Sequence, residues 1–280
     1  MAVSLAAAVA AIAMLILRNK FRLVWRQLWQ LEEKTAALEQ DNIDLRKSIF
    51  LSVDSKLRLP ALLPSQHGED LLLWSFFGGR RHGFFVEVGA YDGVIFSNTY
   101  FLEALGWTGI LVEPNSRLIE RCVQARPFSR AVHAAISDSS GGTLELSIVD
   151  GEPGLDALSY VGTPDAHIAR VEQAGGSVRK ESVPRMTLDE VLGDDETHLD
   201  LVSIDVEGHE LNVLTGFSID KYQPDVLLIE DNSHGHDRLV SCFLAERGYV
   251  ERHRTDCNVF YCRADEQRRI EFPPPGARIV

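Results

Sequence analysis

The sequence predicts an α/β protein: an open, mostly parallel sheet in three layers, preceded by an apolar helix and a helical stalk. Three observations predict it. Short apolar runs alternate with helix-like segments from Phe84 to Gly248, the pattern of a parallel sheet covered on both faces. The last two strand-like runs, "YVERHR" and "NVFYCR", follow too closely for a crossover helix, so they form an antiparallel hairpin. Ala2 to Leu17 carry no charge, and Arg18, Lys20 and Arg22 follow at once.

The N-terminal run, residues 1–20, is short for the hydrocarbon core of a bilayer, and snorkelling Arg18 and Lys20 would make up the difference. A cleaved signal peptide is the alternative, but no basic segment precedes the run. Read as an uncleaved single-pass anchor, its flanking charges leave the main domain on the cytosolic side. Into and along the stalk, residues 21–50, Leu17, Val24, Leu31, Leu38 and Leu45 form one seven-residue series, and Phe21, Leu28, Thr35, Asn42 and Ile49 another. With Leu at most d positions and a lone Asn42 at a, that seam favours a parallel homodimer in fixed register; the alternative is a single amphipathic stalk helix. Residues 51–65, with Pro60 and Pro64, form a linker, 66–272 form one domain, and 273–280 are a proline-rich tail.

Within the domain, "FFVEV" is the first strand, and Ser97 caps the helix that follows, Asn98 to Leu105. "GILVE", a helix over Ser116 to Ala125, and a third strand, "AVHAAIS" (Ala131 to Ser137), come next. A polar insertion from Asp138 to Ser182 holds a hairpin around "TLELSIV" and a lid-like segment. Thr187 caps "LDEVL"; "LDLVSID" and "DVLLIED" are the fourth and fifth strands; "RLVSCFLAERG" is a helix closed by Gly248. Ligands of such sheets bind beyond the carboxyl ends of the strands.

A net charge of −13 disfavours a nucleic-acid partner, since so acidic a surface repels phosphate backbones. Cys122, Cys242, Cys257 and Cys262 lack metal-site spacing and read as isolated residues. At the strand tips, Glu87-x-Gly89-x-Tyr91-x-Gly93 ends the first strand and Glu113 lies 20 residues beyond Gly93. The dinucleotide fingerprint is not met, because Tyr91 and Val94 stand where its second and third glycines belong. Gly89 and Gly93 let the backbone approach a ligand, Glu87 anchors the turn, and Glu113 is placed to accept both hydroxyls of a ribose. Two acids and a glycine turn suit a cationic sulfonium cofactor with a ribose and no phosphate; the alternative is an acid capping each helix.

The Glu87–Gly93 stretch resembles the first motif of S-adenosyl-L-methionine-dependent methyltransferases, with one glycine replaced by Tyr91. "SQHGED", "SNTYFLE", "EPN", "TLDEVL" and "SIDVEGHELNVLTGF" together resemble the FkbM-type methyltransferases over most of Ser65 to Cys262. That resemblance implies a class I methyltransferase (Rossmann-like) sheet with an antiparallel last strand. It implies a cofactor site lined by Glu87, Gly89, Tyr91, Asp92, Gly93, Glu113 and Asn115, with Ser137 and Asp138 near the adenine.

For the transfer itself, "DVEGHE" places Asp205 and His209 at the tip of the fourth strand, and His209 is the natural base. The alternative is a histidine bonded to Glu207 or Glu210. Asp205 with Asp231 and Asn232 resembles the Mg2+ set of catechol-type O-methyltransferases; equally, Asp231 or Asn232 caps the next helix. The resemblance implies O-methylation of a glycan, glycolipid or other small metabolite. A membrane trafficking or scaffold protein that retains the methyltransferase fold is the rival, and a nicotinamide-dependent oxidoreductase lacks its fingerprint.

Overall fold

The computed structural model describes residues 57–60, 62–150, 155–162, 175–193, 198–274 and 277, with 34, 37, 38, 40–44, 168 and 171. The chain divides into two compact units, Met1–Ile49 and Phe50–Val280. In the first, the described residues between 34 and 44 are helical. The expected anchor at 1–20 and most of the stalk lie outside the described residues. Among those that are described, no helix is long and apolar enough to cross a membrane.

The second unit holds a seven-stranded sheet. Its strands are β1 (Phe84–Val88), β2 (Thr108–Val112), β3 (Ser129–Val132), β8 (Leu201–Ile204), β9 (Val226–Glu230), β10 (Tyr249–Arg254) and β11 (Asn258–Arg263). They run in the order β10-β11-β9-β8-β1-β2-β3. Neighbours from β3 to β9 are parallel, while β11 is antiparallel to both β9 and β10. This is the class I methyltransferase arrangement expected from the terminal hairpin.

Side-chain alternation divides the core between the two faces. Val86, Val88, Val202, Ile204, Leu227 and Ile229 pack with helices α4 (Leu188–Leu192) and α5 (Glu210–Thr215). Phe85, Leu111, Leu201 and Leu228 pack on the other face with α1 (Glu69–Phe76), α2 (Tyr100–Leu105) and α3 (Ser116–Ala125). Glu87 follows the pleat onto the face of Phe85, so its carboxylate points under α2 and α3. Two further short helices are α6 (Ile219–Tyr222) and α7 (Leu239–Ala245).

The insertion corrects one expectation. The run Ala131 to Ser137 is two strands: β3 stays on the main sheet, and β4 (Ala135–Ile136) leaves it to pair with β7 (Ser177–Met186). "TLELSIV" is the body of β5 (Thr143–Asp150), antiparallel to β7 along eight residue pairs and to the strand that follows it in the chain. With β6 (Tyr160–Val161) on its other edge, β5 completes a second sheet in the order β4-β7-β5-β6. β7 had no legible period because only Val183 of its ten residues is buried.

Candidate active site

The carboxyl ends of β1, β2, β8 and β9 open into a cavity of about 420 Å3, walled also by residues of the insertion. At the end of β1, Gly89 has φ 84°, and a Cβ there would stand 1.7 Å from the Asp205 carbonyl oxygen. The glycine is required first by this crossing of two backbones, and its place on the cavity wall comes with it. Tyr91 also has a left-handed backbone, φ 51°. Its N–H donates to Glu113 Oε2 at 3.0 Å, and its hydroxyl donates to Asp156 Oδ1 at 2.7 Å.

Gly93 and Asp92 shape the turn without lining the cavity. A Cβ on Gly93 would meet Arg126 Cγ at 3.1 Å and Cys122 Cα at 3.2 Å, so this glycine admits α3. Asp92 Oδ1 accepts from the N–H groups of Val94 and Ile95. Glu87 reaches the wall, but its oxygens accept from Ser97 Oγ, Thr99 Oγ1 and the Asn98 N–H. Ser97 also accepts from the Tyr100 N–H at 3.0 Å, while Thr99 holds the position just before α2. Asn98 Nδ2 donates to Ser203 Oγ of β8 at 3.2 Å. "SNTYFLE" is thus an internal wiring pattern that fixes the first turn.

Glu113, at the tip of β2, is buried and lines the cavity. The N–H groups of Tyr91 and Asn115 hold its two oxygens, at 3.0 and 2.8 Å. Burial outweighs those bonds and raises its carboxyl pKa to about 8. Asn115 turns away and caps α3, its Oδ1 accepting from the Arg117 N–H. Ala134, Ala135, Ile136 and Leu146 form an apolar wall nearby in sequence to Ser137 and Asp138, which themselves do not line the cavity.

His209 does line it. Its Nε2 is 3.1 Å from Ser137 Oγ, a partner the sequence did not suggest. Burial holds the ring pKa below its usual value, against the pull of Asp138. Glu210 instead accepts from the N–H groups of Val206 and Gly208 and closes the "DVEGHE" turn. Asp205, Glu207 and Glu230 bring carboxylate oxygens within 4.8 Å of one another. Burial, then Asp205 and Glu207, push the Glu230 carboxyl well above its usual range.

That trio is not the Asp205, Asp231 and Asn232 set expected for Mg2+. Asp231 is paired with Arg254 at 2.6 Å and accepts from the N–H groups of Ser233 and Gly235. Burial alone would raise its carboxyl pKa, but the Ser233 and Arg254 bonds outweigh it and hold the group below its usual range. Asn232 lines the cavity and donates from Nδ2 to Glu230 Oε1 at 2.6 Å.

Sequence reasoning missed Gln66, His67, Asp156, Glu207, Glu230 and Asp256 on the wall. The motif "SQHGED" held the clue to the first two. Glu69 accepts from the His67 N–H, Thr255 Oγ1 and Asn258 Nδ2, tying the start of α1 to the terminal hairpin beside the cavity. All four cysteines are free.

A family model described as the methyltransferase FkbM domain matches residues 87–251. Similar solved structures include the precorrin-6Y C5,15-methyltransferase of Geobacter metallireducens, at 12% identity over 76% of this chain and 95% of that one, TM-score 0.36. Another is M. capricolum TrmK in complex with S-adenosyl-homocysteine, at 7% identity over 68% and 66%, TM-score 0.36. A third is the O-methyltransferase from Bacillus cereus, also in complex with S-adenosyl-homocysteine, at 10% identity over 80% and 88%, TM-score 0.34. No curated protein matches the chain.

Proposed function

The chain belongs to the FkbM methyltransferase domain family, and from that premise we propose that it transfers a methyl group from S-adenosyl-L-methionine to a hydroxyl of a glycan, glycolipid or other small metabolite. The observation that carries this reading is Glu113: a buried carboxylate at the tip of β2, aimed by two backbone N–H groups along a cavity shared with His209. The residues present fit the cofactor. Glu113 suits the two ribose hydroxyls, and the Ala134–Ile136 stretch with Leu146 offers an apolar wall to the adenine. The cofactor, when bound, supplies an electrophilic methyl on a sulfonium.

The remaining work falls to the chain's own side chains. His209, kept neutral by burial, takes the acceptor's proton, and Ser137 Oγ orients its ring. Asp205 and Glu230 hold acceptor hydroxyls. A second reading places Mg2+ on Asp205, Glu207 and Glu230, an all-oxygen donor set of the kind that ion takes, and the metal would acidify the acceptor. We further propose that residues 1–20 anchor the chain in a membrane, that 21–50 pair two copies in parallel, and that the catalytic unit faces the cytosol. The apolar run, its basic flank and the heptad series support that arrangement.

Calorimetric titration of the detergent-solubilised full chain with S-adenosyl-homocysteine, with and without Mg2+, tests the proposal. Binding that weakens at least tenfold in Glu113→Gln is expected. A folded chain that binds none would overturn the enzyme reading in favour of a membrane-bound scaffold.

A further inference from the structure

Tyr91 occupies a position where the glycine motif asks for no side chain, and it keeps a left-handed backbone at φ 51°. For a residue with a Cβ that conformation is strained. Contacts on three sides hold it there. Its N–H donates to Glu113, its ring stacks on Phe96 at 6.4 Å and 26°, and its hydroxyl donates to Asp156 at 2.7 Å. Phe96 is itself left-handed, φ 62°, and both rings line the cavity.

Asp156 belongs to the 3-10 turn Leu155–Leu158, which leads into β6. Ser159 fixes that turn to β5: its Oγ donates to the Asp156 carbonyl at 2.6 Å and accepts from the Val149 N–H at 3.2 Å. Asp156, Ala157, Leu158, Tyr160 and Val161 all line the cavity. One residue therefore connects the carboxylate at the tip of β2 with the wall contributed by the second sheet. Burial and the Asp156 carboxylate both keep the phenol protonated, the state in which it donates.

We propose that Tyr91 is a positioning residue that fastens the Leu155–Leu158 turn against the cofactor end of the cavity. Release of cofactor or product then requires its hydroxyl to leave Asp156. A glycine at this position would relieve the backbone and abolish the fastening, which gives the departure from the motif a function. The inference rests on the cofactor reading above for its effect on release, and on the free protein for the fastening itself.

Two measurements on the full chain in detergent test it, applied to Tyr91→Phe, Asp156→Ala, Asp156→Asn and the Tyr91→Phe/Asp156→Ala double variant. Amide hydrogen exchange of the ligand-free proteins reports the fastening at Leu158 to Val161. Dissociation of S-adenosyl-homocysteine, followed by surface plasmon resonance, reports release. Tyr91→Phe and Asp156→Ala are expected to speed exchange in that segment and to raise the dissociation rate about tenfold, the worth of one charge-assisted bond. Asp156→Asn, which still accepts but without the charge, falls between the parent and Asp156→Ala, and the double variant is no worse than either single. Unchanged exchange in folded Tyr91→Phe would overturn the fastening. Faster exchange with unchanged dissociation would overturn its role in release. A parent chain that binds no S-adenosyl-homocysteine would instead overturn the cofactor reading, with the exchange data still deciding the fastening.

Discussion

Arg126 and Glu103 form an ion pair, Nε to Oε2 at 2.7 Å, in which neither side chain is accessible to solvent. The guanidinium also donates to the Gly93 carbonyl, Ser97 Oγ and Thr99 Oγ1 and lies 3.6 Å from Glu87. Glu103 accepts in turn from Ser129 Oγ and the Phe128 N–H. One buried cation thus joins α3, α2 and the turn after β1. A buried charge deprived of its partner is far more costly than the pair is favourable.

Arg126→Met is therefore expected to lower the unfolding free energy by about 3–5 kcal/mol. Adding Glu103→Leu should recover part of that loss, since it removes the stranded carboxylate. Urea denaturation of both singles and the double variant checks this; a double variant that loses the sum of both singles would show that the charges are not coupled.

The two glycines of the turn should separate cleanly. Gly89→Ala pushes a Cβ to 1.7 Å from a backbone oxygen that cannot move without displacing β8. Gly93→Ala meets its nearest neighbours, Arg126 Cγ and Cys122 Cα, at 3.1 and 3.2 Å, a crowding that a shift of a few tenths of an ångström relieves. Both carry the cost of positive φ, about 1 kcal/mol or more. Gly89→Ala is expected to be the worse by about 2 kcal/mol or more, read as denaturation midpoints or as failure of that variant alone to accumulate in soluble form.

What the sequence made legible was whatever a two-residue or helical period could carry. β1, β2, β8 and β9 alternate or run apolar, and the acid at the tip of β2 could be located by counting. Glu230 escaped because it reads as the end of an apolar run, "VLLIE", and its neighbour Asp231 looked like the tip. Successive residues at a strand end point to opposite sides, so one position decides which acid enters the cavity and which meets Arg254. Asp156 was invisible for a different reason. It sits on the turn between β5 and β6, in a sheet held together by the long-range pairing of β5 with β7, a polar strand that leaves almost no periodic trace.

Glu113 gives the free protein a characteristic pH dependence. Its carboxyl pKa is raised to about 8, against about 4.5 for an exposed group, so the folded chain holds a proton that the unfolded chain releases. Stability from this group is complete below about pH 4.5 and falls as pH rises toward about 8. Glu230 is shifted in the same direction and adds to the slope. Glu113→Gln should flatten part of the decline, and Glu113→Gln with Glu230→Gln more of it, in thermal unfolding between pH 5 and 8. If the ionised carboxylate receives the ribose hydroxyls, affinity for S-adenosyl-homocysteine rises with pH over this same window, by up to about tenfold per unit. The rise is absent in Glu113→Gln.

His209 carries the last prediction. Burial lowers its pKa, so the ring stays neutral and able to accept a proton at pH 7, and the acidic limb of kcat/KM lies below the value of about 6.5 found for free imidazole. His209→Gln keeps a polar side chain beside Ser137 but accepts no proton at any working pH, and a loss of about 100- to 10,000-fold in kcat is expected. The acidic limb should vanish with it, while binding of S-adenosyl-homocysteine changes little because Glu113 is untouched. Ser137→Ala frees Nε2 and should shift the limb without removing it, since the ring remains. If His209→Gln retains both rate and limb, the proton goes to the Asp205 carboxylate instead, and Asp205→Asn becomes the variant that silences transfer.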